Sequence, residues 1–127
     1  MITPVLNWYV GWAMVLTAFA TGGILGLHFH DERFLGGYAS FRRRIIRLGH
    51  IALAALGMLN VLFSLAAWPT NSVWTASAAS VCLLLGGTSM PAICFLTGWN
   101  QGFRNFFFIP VAALMLAIVF ILCGGHP

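Results

Sequence analysis

Three histidines have the type and spacing to hold a metal-containing cofactor. His28 and His30 end the first apolar stretch of the chain, and His50 lies near the start of the second. If these stretches form neighbouring antiparallel helices, the three imidazoles lie at similar depth, close to one end of both helices. Two neutral imidazoles on facing helices can be the axial ligands of a b-type haem iron. The sequence therefore offers a bis-histidine haem b site near the end of the first two helices, with His50 as one ligand.

The second ligand of such a site is open to two assignments. His28 and His30 are about 200° apart on a helix, so only one of them can face the neighbouring helix. His28 has the more polar face, because Thr17 and Thr21 share it. His30 instead lies on a face that carries glycines, which favours close packing there. The sequence does not show which of the two histidines would be the second ligand.

Arginines follow the histidines closely in the chain. Arg43 and Arg44 end the predicted loop before the second span and Arg47 lies just inside that span, where haem propionates would emerge or where lipid phosphates would be in reach. Two further interpretations of the same residues stand beside the haem. The histidines can bond only carbonyl groups or lipid phosphates, or they can hold a transition metal ion.

The sequence predicts no catalytic activity of the chain on its own. Asp31 and Glu32 are its only carboxylates, and both lie in a polar segment between two apolar stretches. A proton-coupled exporter needs an acidic group inside the membrane, and hydrolysis by paired carboxylates needs two acids in a cleft. The cysteines form no Cys-x-x-Cys pair, which argues against a disulfide oxidoreductase. They are Cys82, Cys94 and Cys123.

The composition indicates an integral membrane protein. Only 6% of the 127 residues are charged, against roughly 25% in soluble domains. Four apolar stretches are long enough to span a bilayer. Because short loops join them, we expect one all-α membrane domain, an up-down antiparallel four-helix bundle. The sequence does not decide whether the helices close on themselves or lie along a larger subunit. The predicted spans are residues 5–29, 45–68, 73–99 and 106–123.

Charge placement predicts the orientation of these spans. All six basic residues are arginines; five lie in two short loops, residues 31–44 and 100–105, and Arg47 lies three residues beyond the first loop. Such loops stay in the cytoplasm, so both termini, with His126, are expected on the outer (periplasmic) side of a bacterial inner membrane. Trp8, Trp12, Trp68 and Trp74 then lie at the outer interface, and Trp99 at the inner one.

Small and polar residues predict where the helices meet. Gly22 and Gly26 make a small-xxx-small pair in the first span, and Ala54 and Gly57 line one face of the second. A few polar side chains lie within the spans and would be the only hint of a path for a solute. They are Asn60, Ser64, Thr88 and Ser89.

Together these features predict a non-catalytic accessory or assembly subunit of a larger inner-membrane complex, in electron transfer. The general plan resembles small accessory subunits of respiratory complexes, a likeness of architecture that covers no motif. The expected partners are the bilayer, its anionic lipids and other membrane protein subunits. Nucleic acid is not expected, because membrane orientation explains the positive charge. The alternatives are an electron-transfer subunit with bis-histidine haem b and a small passive transporter or channel.

Overall fold

Four long helices make up nearly all of the computed structural model, which describes residues 3–66 and 73–124. Each helix is long and apolar enough to cross a membrane, the fourth together with the 3₁₀ turn before it. The short turns are Phe34–Gly36 and Gln101–Phe106. The long helices are α1 (Thr3–Leu27), α2 (Phe41–Leu65), α3 (Val73–Trp99) and α4 (Phe108–Cys123).

The boundaries of α1 and α2 differ from the prediction, whereas those of α3 agree with it. Helix α2 begins at Phe41 rather than near residue 45, because the Ser40 side chain caps it by accepting a hydrogen bond from the Arg43 amide at 3.1 Å. Three of the arginines therefore lie in the first turn of α2, not in the loop. Trp68, the predicted loop at 69–72 and His126 lie outside the described residues.

The four helices form an antiparallel row. Asn7, near the start of α1, meets Asn60, near the end of α2, and Ser80, near the start of α3. Helix α2 packs against both α1 and α3, and α4 packs against α3. Within the described parts of the chain, α1 and α4 do not pack against each other. The up-down order agrees with the prediction, and the packing is an open row rather than a closed bundle.

A buried polar network holds three of the helices together. The Asn7 amide donates to Asn60 Oδ1 at 2.7 Å, and the Ser80 hydroxyl donates to Asn7 Oδ1. Asn60 uses its own amide to donate to the Leu56 carbonyl at 2.9 Å. All three polar side chains are fully buried. Because lipid offers no hydrogen bonds, these groups stabilise one another only when the three helices are in this register.

The backbones of α1 and α2 touch close to this network. A methyl group on Gly11 would lie 2.7 Å from the Gly57 carbonyl oxygen, which no real side chain tolerates. The predicted contact face of α2 is confirmed at Gly57. The predicted pair on α1 is confirmed at Gly22, which lies against His50 of α2, but not at Gly26, where an added methyl group would have nothing within 4 Å.

Loss of the Ser80 hydroxyl should destabilise the fold. Ser80→Ala leaves Asn7 Oδ1 buried with one donor fewer, so we expect the free energy of unfolding to fall by about 1–2 kcal/mol. Ser89→Ala is the matched control on the same helix, because the Ser89 hydroxyl bonds only the Leu85 carbonyl of its own helix. Unfolding in mixed detergent micelles measures both. An equal loss in the two variants would contradict the network's role.

Candidate functional site

Arg43 fastens the loop after α1 to the start of α2. Its guanidinium donates to the Phe29 carbonyl at 2.8 Å and to the Asp31 carbonyl at 3.1 Å. Its charged centre lies 3.9 Å from the centre of the Tyr38 ring, and the Tyr38 hydroxyl also donates to the Phe29 carbonyl. Carbonyl groups beyond the end of a helix lack hydrogen-bond donors from that helix, and the Arg43 guanidinium supplies donors to two of them. The side chain is only 3% exposed, so a single residue holds the loop in place.

The loop itself is a tight left-handed turn. Leu35, Gly36 and Gly37 all have positive φ, at 55°, 86° and 96°. Two glycines take this conformation without strain, whereas Leu35 pays a steric cost that its surroundings must offset. The Ser40 hydroxyl donates to the Leu35 carbonyl at 2.7 Å and so fixes the strained residue. The polar segment between α1 and α2 is thus an ordered turn held by side-chain hydrogen bonds.

The other arginines turn their side chains outward from this structure. Arg44 and Arg47 are exposed on the first two turns of α2. Arg42 lies with its charged centre 5.6 Å from the Trp99 ring, at the end of α3. Five exposed arginines therefore share one end of the helix row, and we call them the arginine platform. They are Arg33, Arg42, Arg44, Arg47 and Arg104.

His50 is held by a threonine on α1. Its Nδ1 lies 3.1 Å from Thr21 Oγ1, which is itself 2.9 Å from the Thr17 carbonyl and 3.1 Å from the Ala18 carbonyl. A hydroxyl has one proton, and threonine in a membrane helix gives it to a carbonyl of its own helix. Thr21 Oγ1 is then an acceptor, so His50 Nδ1 carries the imidazole proton. The second nitrogen, Nε2, is left with a free lone pair.

The His50 ring lies in a groove between α1 and α2. It rests on Gly22, where an added methyl group would come within 2.7 Å of the imidazole. Gly23 and Gly26, on the same helix, face open space. Two cavities meet at His50 and Gly22, one of about 250 Å³ toward the arginine end and one of about 320 Å³ toward the middle of the helices.

The two cavities differ in charge. The one toward the arginine end is lined by Arg43 and Arg47 as well as by Phe29 and Phe34, and no carboxylate lines it. The other is apolar apart from His50 and includes Phe19. The groove is therefore amphipathic along its length, with cations at the arginine end of the helix row and an imidazole at its centre.

The other two histidines lie apart from this groove. His28 Nδ1 lies 2.9 Å from the Ile24 carbonyl, and its ring stacks on Phe34 with centroids 4.7 Å apart. His30 is exposed in the turn that follows α1. His50 meets α1 at Thr21, seven residues before His28, which corresponds to about 10 Å of helix. Since metal–nitrogen bonds are about 2 Å long, two axial nitrogens lie only about 4 Å apart. On α1, His50 contacts Thr21 and Gly22, whereas His28 contacts Ile24 and Phe34.

The polar residues that the sequence offers for a solute path make hydrogen bonds within the protein. Asn60 belongs to the buried network, and Ser64 donates to the Val61 carbonyl at 2.6 Å. Thr88 and Ser89 donate to the carbonyls of Leu84 and Leu85. These bonds satisfy each group inside its own helix or the helix network.

The structure shows two contacts, one at this site and one in the buried network, that the sequence analysis does not predict. Thr21 was associated with His28 because the two share a helix face, yet it bonds His50. Asn7, which sets the register of α1, was not singled out, although a lone amide inside an apolar run is a signal that could have found it. Comparison with protein families, with characterised proteins and with solved structures finds no match to this chain.

Arg43→Lys should loosen the loop that Arg43 holds. An ammonium group cannot span two carbonyls as the planar guanidinium does, so we expect a stability loss of about 1–2 kcal/mol. The amide of Gly37, which donates to the Phe34 carbonyl, should exchange with deuterium about tenfold faster, since 1.4 kcal/mol corresponds to a factor of ten. Arg44→Lys, at the exposed neighbouring position, should leave both measurements unchanged. Unaltered Gly37 exchange in Arg43→Lys would refute the clamp.

Proposed function

We propose that this chain is a non-catalytic accessory subunit of a larger complex in the bacterial inner membrane, and that it docks through the arginine platform. The observation that supports this most directly is the Arg43 clamp. One arginine is buried to order the loop, and five others are exposed around it at one end of the molecule. An ordered set of guanidinium groups suits bidentate contacts to the carboxylates of a partner or to lipid phosphates.

The helix row offers room for such a partner. Among the described residues, the long helix whose backbone α4 packs against is α3, and just 11% of the most apolar segment of the fourth span is buried within the chain. The row has two broad faces that meet lipid or another membrane protein. A subunit laid against a larger helical core would use the platform for registration and the helices for contact area.

The proposed orientation puts the arginine platform in the cytoplasm. Arginine-rich short loops are retained on that side, and anionic lipids of the cytoplasmic leaflet attract them. Trp8, Trp12 and Trp74 then lie near the outer interface, at the opposite end of the row. Both chain termini face the periplasm in this arrangement.

Reporter fusions test this orientation. Alkaline phosphatase, which is active only outside the cytoplasm, should be active when fused to the C-terminus and inactive when fused after Asn105. A fluorescent protein that folds only in the cytoplasm should give the reverse pattern at the same two positions. A fluorescent C-terminal fusion would overturn the orientation.

Co-purification tests the docking surface. Arg33→Gln combined with Arg44→Gln removes two exposed charges of the platform and leaves Arg43 intact, so we expect partner affinity to fall about tenfold. Glu32→Gln is the control, an exposed charge at the same end with the opposite sign. Partner recovery from native membranes in mild detergent measures the effect. A monodisperse chain without a partner at native expression would contradict the proposal.

A second candidate function is that of a haem b electron-transfer subunit. The observation that favours it is the position of His50 within a membrane helix, with Nδ1 bonded to Thr21 and the ring in a groove. Metal-ligating histidines typically have their other ring nitrogen held in this way. This candidate is compatible with docking through the arginine platform.

A further inference from the structure

We infer that the groove between α1 and α2 binds one b-type haem and that His50 Nε2 is the single axial ligand this chain provides. The inference rests on the second candidate function, and it assigns the ligand, the orientation of the cofactor and the groups that hold it. It differs from the bis-histidine arrangement predicted from the sequence, because neither His28 nor His30 takes part.

The first argument is the lone pair on Nε2. We assign the imidazole proton to Nδ1, because Thr21 Oγ1 lies within hydrogen-bond distance of carbonyls of α1 and of His50 Nδ1. In this tautomer Nε2 can bind a metal or accept a hydrogen bond, but it cannot donate one. An iron atom satisfies it.

The second argument is the shape of the groove. A macrocycle needs a slot in which the helix backbones carry little bulk, and α1 has Gly22, Gly23 and Gly26 beside His50. Of these, Gly23 and Gly26 face open space. The cavities on either side of His50 are about 250 and 320 Å³. Each is near the lower limit of roughly 300–1,000 Å³ for ligand pockets, and a ligand lying across both would use the larger combined space.

The third argument is the positive charge at the arginine end of the groove. Arg47 is one turn before His50 on α2, is exposed, and lines the cavity with Arg43, which is already bonded to carbonyls. The cavity has no carboxylate in its lining to neutralise them. Haem propionates supply negative charge at one edge of an otherwise apolar plate, which matches a groove with cations at one end and Phe19 at the other.

A haem meets all three requirements together. A quinol could donate a hydroxyl to Nε2 but brings no negative charge for the arginines. An anionic phospholipid whose headgroup carries a hydroxyl brings both a charge and a donor, and the mass spectrum of the purified chain distinguishes it from haem. The iron, the apolar plate and the propionates of a haem correspond to His50 of α2, the glycine face of α1 and Arg47 of α2.

The test is haem content and the visible spectrum of the full chain purified in mild detergent from cells supplied with a haem precursor. The wild-type chain should carry an equimolar amount of haem with an α-band in the reduced-minus-oxidised spectrum. His50→Ala should abolish it, whereas His28→Ala and His30→Ala should keep it. Adding free imidazole to haem-reconstituted His50→Gly should restore the spectrum, which a merely misfolded variant would not allow.

Two further variants examine the surroundings of the ligand. Thr21→Val removes the acceptor of the His50 Nδ1 proton and should weaken haem binding about tenfold, as loss of an outer-shell partner does. Arg47→Gln should weaken haem retention with no change in the position of the α-band, because it acts on the propionates.

Three results would overturn the inference. One is a wild-type chain that binds no haem, even after haemin is added. Another is a phospholipid mass, in place of haem, in the native mass spectrum of the purified chain. The third is equal loss of haem from His28→Ala and His50→Ala, which would restore the bis-histidine site. None of these affects partner recovery by the arginine platform, so failure here is distinguishable from failure of the docking proposal.

Discussion

The absence of water from a bilayer core requires each polar group on a membrane helix to find its partner inside the protein. Asn7, Asn60 and Ser80 meet this constraint together, and they do so only in one register of α1, α2 and α3. The Gly11–Gly57 backbone contact lies beside the network and depends on the same register. Sliding either helix by one turn would separate both contacts, so the network determines which residues meet elsewhere along α1 and α2.

The contacts of the histidines depend on the helix register that the buried network fixes. For His50 to meet His28 instead of Thr21, α1 would have to move by about 10 Å along α2. That movement would pull Asn7 away from Asn60 and from Ser80, while Asn60 would keep its bond to the Leu56 carbonyl. The buried network near one end of the helices therefore selects the hydrogen-bond partner of His50 near the other.

Sequence reasoning could predict the number of helices, their antiparallel order and the extent of α3, because these follow from hydropathy and loop length. It placed the start of α2 too late, since charge made residues 41–44 resemble a loop and the capping signal of Ser40 was not used. It identified the residues of the candidate site but not their partners. Arginine placement indicates a side of the membrane, yet only the fold reveals that Arg43 bonds two carbonyls while Arg44 and Arg47 stay exposed.

The same constraint can be followed along the spans, where the Thr97 hydroxyl is the buried side-chain atom of the described residues that has no hydrogen-bond partner. Asn60, Ser64 and Thr88 each bond a carbonyl or an amide within the fold. His50 has two nitrogens, and within the described residues the bond to Thr21 accounts for Nδ1 alone. A half-buried imidazole with a free lone pair, resting on glycine where bulkier residues would close the groove, costs free energy in lipid unless something binds there. A ligand for Nε2 would offset that cost, so the register imposed by the buried amides is also what leaves this nitrogen available.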